Sequence, residues 1–530
     1  MRPRRDTPFE PLETAMGQPN IVFAFADDWG RYASAYRQVE GDCTPNALIE
    51  TPNFDRVARE GVMFTNALVP APSCTPCRSS ILAGRYFWQT GLGAILQCAE
   101  WDSSIPTYPL ILEDAGYHIG YTYKVWGPGT PPNEPYGGRR TAYAPAGAKF
   151  GQFSHVVTED AKSVGVEAAK QLRYDEVRQN LDAFLDDRPE DRPFCYWWGP
   201  TNTHRTWERG SGKALWGLEP DDLEGRMPAF LPDVHDVRED VADYLGECLA
   251  LDAGLGVILD RLDEIGELDN TLVVVSGDHG IPGFPRAKCN LYDIGCEVAL
   301  AARWPGKIKP GRVVDDIINI MDLGPTFLEA AGIAPPECMS ARSLLDVLES
   351  PAEGQVDPGR TFAVMGRERH VACAREGNLP YPQRSIRTKD YLYIRNFEPD
   401  RWPMGDPNGM DDPNAEPIDF EALRWNTFAA YGDLDASPTK AWMVHHRAEE
   451  HVREQFEIGF GKRPAEELFD LRKDPHHMTN VADDAEYASV REALTARMMA
   501  VLKEQDDPRV TEPDCRFESM PYTAEPPPRK

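Results

Sequence analysis

Ile21-Val22-Phe23-Ala24-Phe25, followed at once by Asp27-Asp28-Trp29-Gly30, decides how this sequence folds. Apolar residues in an unbroken run, without polar alternation, make a strand buried on both faces, as in a parallel sheet covered by helices. The signature returns in mid-chain. Leu251, Leu255, Ile258, Leu262 and Ile265 fall at helical spacing, an amphipathic helix that ends near Gly266. Asp269-Asn270 then turns into a second apolar run, Thr271-Leu272-Val273-Val274-Val275, which passes straight into Ser276-Gly277-Asp278-His279-Gly280. Helix, apolar strand and polar loop in succession predict an α/β fold. Open α/β sheets bind ligands beyond the carboxyl ends of their strands, so Asp27, Asp28, Asp278 and His279 fall where a site is expected.

The 530 residues have room for one large domain and a smaller one. The polar stretch Glu349-Ser350-Pro351-Ala352-Glu353-Gly354 reads as a linker, which places the larger unit at residues 17–350 and the smaller at 360–520. Beyond it, Tyr391-Leu392-Tyr393-Ile394 and Glu467-Leu468-Phe469-Asp470-Leu471 read as short strands, and Val490–Leu502 as a helix. The tail Glu525–Lys530 reads as disordered. A net charge of −30 opposes binding to nucleic acid or to an anionic membrane, so neither is expected as a partner. No apolar run approaches the ~18–20 residues of a membrane span. Arg2, Arg4 and Arg5 are not followed by an apolar stretch, so no secretory signal is expected, and Met16 is an alternative start. Eleven scattered cysteines form no disulfide framework, which predicts a reducing, cytoplasmic setting.

Two adjacent carboxylates at the end of a buried strand are costly without a cation. An isolated Asp-Asp is most often a capped turn, but Asp278-His279 at the end of another strand makes an oxygen-rich cluster. Such clusters bind hard divalent ions, Ca²⁺ or Mg²⁺, and the imidazole leaves Mn²⁺ or Zn²⁺ open. Cys74-Thr75-Pro76-Cys77-Arg78 lies in a polar, Pro-containing turn, with Arg78 in reach of any anion that Cys74 attacks. Cys74 and Cys77 form a lone CxxC without the second pair a zinc ribbon needs. As a redox pair they would leave the carboxylates unexplained.

Cys-x-Pro-x-Arg followed by Ser-x-Leu-x-Gly-Arg, here Cys74 to Arg85, resembles the signature of the type I sulfatases, members of the alkaline phosphatase superfamily. Other blocks follow that family in order: Pro19-Asn20-Ile21-Val22, Thr51-Pro52-Asn53-Phe54-Asp55, Thr271–Gly280, Lys288–Gly295, Arg303-Trp304-Pro305-Gly306 and Glu467–Leu471 with Asp474-Pro475. The resemblance implies a large mixed sheet flanked by helices, with a smaller C-terminal α+β domain on a short antiparallel sheet. It implies oxidation of Cys74 to formylglycine by a maturation enzyme, which would be a partner of this chain. Asp27, Asp28, Asp278, His279 and the modified Cys74 would hold one divalent metal, Ca²⁺ ahead of Mn²⁺. Arg78 and Lys288 would clamp sulfate oxygens, and His204, in Gly199-Pro200-Thr201-Asn202-Thr203-His204, would contact the scissile group. Lys124 matches the lysine of the family's Lys-x-His, but Trp126 stands in place of the histidine.

The chemistry suits those residues. An aldehyde hydrate offers one hydroxyl to attack sulfur and a second to expel sulfate, while surrounding cations stabilise charge. Asp278 or a neighbouring carboxylate would take the attacking proton, and His204 would give one to the leaving oxygen or nitrogen. Gly280–Pro285 leading to Lys288-Cys289-Asn290-Leu291-Tyr292, and Tyr381–Arg387, are similar to the sulfamidase branch, the N-sulfoglucosamine sulfohydrolases. The expected activity is hydrolysis of a sulfate ester or sulfamate on a small or chain-end saccharide. Arg367, His370, Arg384 and Arg401 are candidates for contacting the rest of the substrate. The alternative is a phosphonate or phosphate diester hydrolase on the same site; a catalytically dead scaffold would be expected to lack Cys74 or Arg78, and both are present.

Overall fold

A computed structural model of the protein describes residues 18–523. The readings of the N-terminal stretch before Gln18 and of the tail Glu525–Lys530 lie outside the described residues. The larger sheet holds β1 (Asn20–Ala26), β2 (Val62–Leu68), β3 (His118–Tyr123), β4 (Phe194–Gly199), β5 (Thr271–Gly277), β6 (Leu300–Arg303) and β7 (Arg312–Asn319). Their order is β3-β4-β1-β5-β6-β2-β7. The first four neighbours run parallel, β6 is antiparallel to both of its partners, and β2 pairs parallel with β7. The expected mixed sheet is thus present, with β1 near its middle: Ala24 sits opposite Trp198 on β4 and Val275 on β5.

The absence of polar alternation in β1 follows from its two buried faces. Ile21, Phe23 and Phe25 join one hydrophobic cluster, and Val22, Ala24 and Ala26 join the other. Helices cover both. The helix read around Leu251–Ile265 starts far earlier and spans His235–Glu264. Its first half is rich in acids that nevertheless lie buried, because each fixes a loop. Asp240 pairs with Arg205 at 2.8 Å, Asp243 accepts the backbone N–H groups of Gly210 and Gly212, and Glu247 accepts from Asn202 at 3.0 Å. An apolar-periodicity criterion cannot see a helix whose inward face is polar.

A second, four-stranded sheet is antiparallel throughout, in the order β11-β10-β9-β8. It comprises β8 (Phe362–Arg367), β9 (Gln383–Thr388), β10 (Tyr391–Asn396) and β11 (Glu466–Asp470). Ile386, Leu392 and Leu468 of this sheet, with Met498 and Leu502 of the helix Ala488–Glu504, share a hydrophobic cluster with one face of the larger sheet. The stretch read as a linker lies against that sheet: Gly354 N–H donates to the Val313 carbonyl at 2.9 Å, and Asp315 N–H to the Gly354 carbonyl at 2.8 Å.

Strand direction places the site. Since β2 is antiparallel to β6 and β6 to β5, the carboxyl ends of β1 through β5 all open on one edge. Close approach there requires Gly277, where a Cβ would lie 1.9 Å from the Trp29 carbonyl oxygen.

Candidate active site

Five chain segments leave the sheet on that edge, and each brings one part of a single cluster. Asp27 and Asp28 follow β1, and Asp278 and His279 follow β5. After β2 a short turn leads into the helix Cys74–Ala83, whose first residue is Cys74. Ser73, at its N-cap, does not cap the helix, because its hydroxyl is bonded to His370 Nδ1 at 2.8 Å. Gly84 closes the helix in the left-handed conformation, φ +59°. Lys124 follows β3, and His204 stands in the turn after β4.

The cluster is sealed. Asp27, Asp28, Cys74, Asp278 and His279 are each at most 2% exposed. The Cys74 Sγ lies 3.3 Å from His279 Nε2 and 3.8 Å from Asp28 Oδ1. His279 Nε2 is also 3.2 Å from Asp28 Oδ1 and 3.5 Å from Asp278 Oδ1. His279 Nδ1 faces the Gly280 carbonyl at 3.2 Å; with its proton on that nitrogen, the Nε2 lone pair points at carboxylate oxygens. Lone pair against carboxylate is repulsive unless a cation lies between. Ligand atoms of Asp28, Cys74 and His279 lie within 4.8 Å of one another, as do those of Asp27, Cys74 and Asp278, and those of Asp27, Asp28 and His204. The donor set therefore fits a divalent ion that takes mainly oxygen ligands.

Three cations hold these acids in place. Arg78 donates Nε to Asp278 at 2.8 Å and Nη2 to Asp27 at 3.1 Å, and its Nη1 reaches the Lys124 and Val125 carbonyls. Lys124 Nζ lies 2.6 Å from Asp27. Lys288 Nζ joins Asp28 at 2.8 Å to Asp435 at 3.2 Å. Burial pushes the Asp27 carboxyl up, but Lys124, Arg78, His204 and Lys288 outweigh it and hold the group well below the usual carboxylate range. Burial opposes the charge on Lys288, yet Asp28 and Asp435 keep it protonated well above the ordinary lysine value. Burial and then Asp27 push the Cys74 thiol well above its ordinary value, against the pull of Lys124 and Lys288. An unmodified Cys74 is thus held as a neutral thiol, a poor nucleophile.

His204 is the open member. Its side chain is 37% exposed, with Nε2 3.8 Å from Asp28 Oδ2 and Nδ1 on the Arg205 carbonyl at 2.5 Å. A cleft of about 570 Å³ leads from solvent to this point, lined by Asp27, Gln152, His155, Thr201, His204 and Thr206 among others. A larger cavity, about 740 Å³, lies beside Arg375 and Cys373 and contains none of the acidic cluster.

The structure therefore brings together Asp27, Asp28, Cys74, Arg78, Lys124, His204, Asp278, His279 and Lys288. The expected substrate-contacting group divides. His370 is bonded to Ser73, the residue before Cys74, and burial pushes it down to about 3, so it is neutral. Arg367 is buried and bonded to Asp433 at 2.5 Å. Arg384 is corrected: it is fully buried, with Nε and Nη2 on Asp507, Nη2 also on Glu368 and Nη1 on backbone carbonyls. No face of it remains for a ligand. Arg401 binds Glu518 at 2.9 Å and the Pro380 carbonyl at 3.0 Å, away from the cluster. The Trp126 indole N–H goes to the Ser79 hydroxyl at 2.8 Å, and it is His279 that stands against Cys74. Sequence reasoning missed Asp433, Asp435, Arg375 and Ser73. They lie in turns without periodicity, and their partners come from distant segments.

The chain matches the model of the family described as Sulfatase over residues 19–333, and that described as N-sulphoglucosamine sulphohydrolase, C-terminal, over residues 284–416. It is 27% identical over 526 residues to human N-sulphoglucosamine sulphohydrolase, covering 93% of this chain and 92% of that protein. It is 25% identical over 514 residues to an ulvan-active sulfatase of Formosa agariphila, covering 95% and 83%. Among solved structures, a protein in complex with its substrate D-glucosamine-2-N,6-O-disulfate superposes with a TM-score of 0.60 at 20% identity, covering 94% of this chain and all of that one. The phosphonate monoester hydrolase of Agrobacterium radiobacter does so with a TM-score of 0.57 at 18% identity, covering 92% and 96%. At these identities the two structures establish the shared fold.

Proposed function

This chain belongs to the sulfatase family, and from that premise we propose that it releases sulfate from a small or chain-end amino sugar, cleaving a sulfamate in preference to an ester. Its class is that of a sulfuric ester hydrolase. The observation that carries the finer reading is Cys74, sealed at the edge of the Asp27–Asp28–Asp278–His279 cluster and 3.3 Å from His279. The amino-sugar preference rests on the likeness, across nearly the full length of both chains, to a sulfohydrolase of N-sulphoglucosamine.

Asp27, Asp28, Asp278 and His279 would hold the ion, with Ca²⁺ favoured by the oxygen donors and Mn²⁺ the competitor brought in by the imidazole. A divalent ion supplies electrostatic stabilisation of the sulfonate oxygens. The Sγ of Cys74 stands where the hydroxyls of a formylglycine hydrate would be, and that hydrate supplies a nucleophile a neutral thiol lacks. The chain's own residues do the rest. Arg78 spends its donors on Asp27, Asp278 and two carbonyls, so it orients the acids. Lys124, on Asp27, and Lys288, on Asp28, are the cations placed to meet the sulfate oxygens. His204, at the cleft mouth, is placed to protonate the departing nitrogen or oxygen. A maturation enzyme for Cys74 is the implied protein partner. Buried free thiols at Cys77, Cys195, Cys248, Cys289 and Cys296 support a reducing, cytoplasmic setting, and the two sheets support a division near residues 350–360.

Protein made with a formylglycine-generating enzyme tests this. The peptide carrying Cys74 is expected to lose ~18 Da on conversion of thiol to aldehyde, and the protein to carry one equivalent of divalent metal by elemental analysis. Rates on N-sulfoglucosamine should exceed those on aryl sulfate and phosphonate monoester. An unmodified Cys74, beside a control sulfatase that is modified, would overturn the mechanism. The fastest rate on phosphonate would select the second reading.

A further inference from the structure

Asp435 differs from every other acid at the site. Asp27, Asp28 and Asp278 are sealed, whereas the Asp435 side chain keeps 20% of its surface open. Lys288 thus joins a sealed carboxylate, Asp28 at 2.8 Å, to one that solvent reaches, Asp435 at 3.2 Å. A carboxylate has about four lone-pair positions, and one ammonium contact leaves others to offer.

The loop that presents it is clamped from both sides. Two residues earlier, Asp433 is buried and accepts from Arg367 at 2.5 Å, from Arg375 at 2.7 Å and from the Val371 N–H at 3.2 Å. Two residues later, the Ser437 hydroxyl donates to the Gly283 carbonyl at 2.7 Å. Lys440 Nζ then reaches back to the Thr427, Tyr431 and Leu434 carbonyls. A carboxylate held this rigidly beside a reacting centre presents fixed charge to whatever enters.

The cations nearby are already engaged. Lys124 faces Asp27, Arg78 faces Asp27 and Asp278, and Arg205 faces Asp240. The cleft wall adds neutral polar groups, Gln152, Thr201 and Thr206. We propose that Asp435 is a specificity-determining residue: it accepts a hydrogen bond from a hydroxyl or ammonium of the sugar and repels a second sulfate near the scissile one. The preferred substrate is therefore a saccharide with a single sulfate at the cleaved end. This rests on the sulfatase reading above and narrows its substrate class.

The test compares kcat/KM of the matured protein on N-sulfoglucosamine and on its 6-O-sulfated form, with Asp435→Asn and Asp435→Glu alongside. Calorimetric binding of glucosamine and of glucosamine 6-sulfate runs in parallel and needs no turnover. The wild type should prefer the singly sulfated sugar by about tenfold, and the Asn variant should narrow this to within about threefold. Asp435→Glu keeps the carboxylate and should keep the preference. An unchanged preference in the Asn variant overturns the proposal, as does a proportionate loss on both sugars, which would reduce Asp435 to a support for Lys288. If neither sugar is cleaved while the binding preference still narrows in the Asn variant, the sulfatase reading fails and the role of Asp435 stands.

Discussion

The indole N–H of Trp126 donates to the hydroxyl of Ser79 at 2.8 Å, turning the ring toward the second turn of the helix Cys74–Ala83 and away from its first residue. Trp126 is 1% exposed and meets Trp101 edge to face, with ring centroids 5.6 Å apart. At the position where a sulfatase usually offers histidine, this chain has a packing residue.

Replacing it tests that assignment. Trp126→Phe keeps most of the volume and leaves Ser79 short of a donor, at a cost of about 1–2 kcal/mol. Trp126→His also opens a cavity and should cost about 2–4 kcal/mol, with no gain in kcat. Urea midpoints and steady-state rates measure both. A rise in kcat for the histidine variant would show an imidazole at this position reaching the nucleophile.

Arg384 was expected near the substrate and is a buried cross-link instead. Its fully buried guanidinium faces Asp507 at 2.5 Å and Glu368 at 2.9 Å. Arg384→Met leaves Asp507 without those bonds inside the protein, and breaking a buried pair costs about 3–5 kcal/mol. Denaturant unfolding should show that loss, while KM of the folded fraction stays the same. Retained stability with a raised KM would return Arg384 to the substrate.

His477 sets part of the acid stability. Burial pushes it down to about 4, with Arg286 and Arg387 adding to the shift and Asp293, 3.7 Å away, opposing it. An unfolded histidine titrates near 6.5, so between those values the unfolded chain holds a proton that the folded chain refuses. Stability therefore falls as pH drops from about 6.5 to about 4, by roughly 3 kcal/mol from this group. His477→Gln cannot take the proton and should flatten that part of the curve, measured by urea unfolding at pH 4.5 and pH 7. Parallel curves for the two proteins would remove His477 from the account.

What the sequence disclosed followed from local regularity. β1 and β5 were legible because both faces are buried and both strands run directly into acids; hence Asp27, Asp28, Asp278 and His279 were found together. The segment Tyr431-Gly432-Asp433-Leu434-Asp435 reads as an ordinary turn. Its meaning comes from Lys288, Arg367 and Arg375, and no periodicity connects those positions. Arg384 misled for the same reason: as an arginine within Tyr381–Arg387 it was a candidate for the substrate, and only Glu368 and Asp507, 16 and 123 residues away, show that it points inward.

The buried position of Cys74 has a consequence in time. The residue becomes inaccessible when Asp278, Lys288 and the loop carrying Asp433 close around it, and those segments are synthesised some 200 to 360 residues later. At ribosomal rates of about 5–20 residues per second, the nascent chain exposes Cys74 for on the order of tens of seconds before the edge of the sheet can shut. Any enzyme that alters this side chain competes with translation and folding. With the modification proposed above, the active fraction of a preparation would then depend on how fast the chain is made: slower elongation lengthens the interval, and overexpression crowds it with more chains than a modifying enzyme could serve.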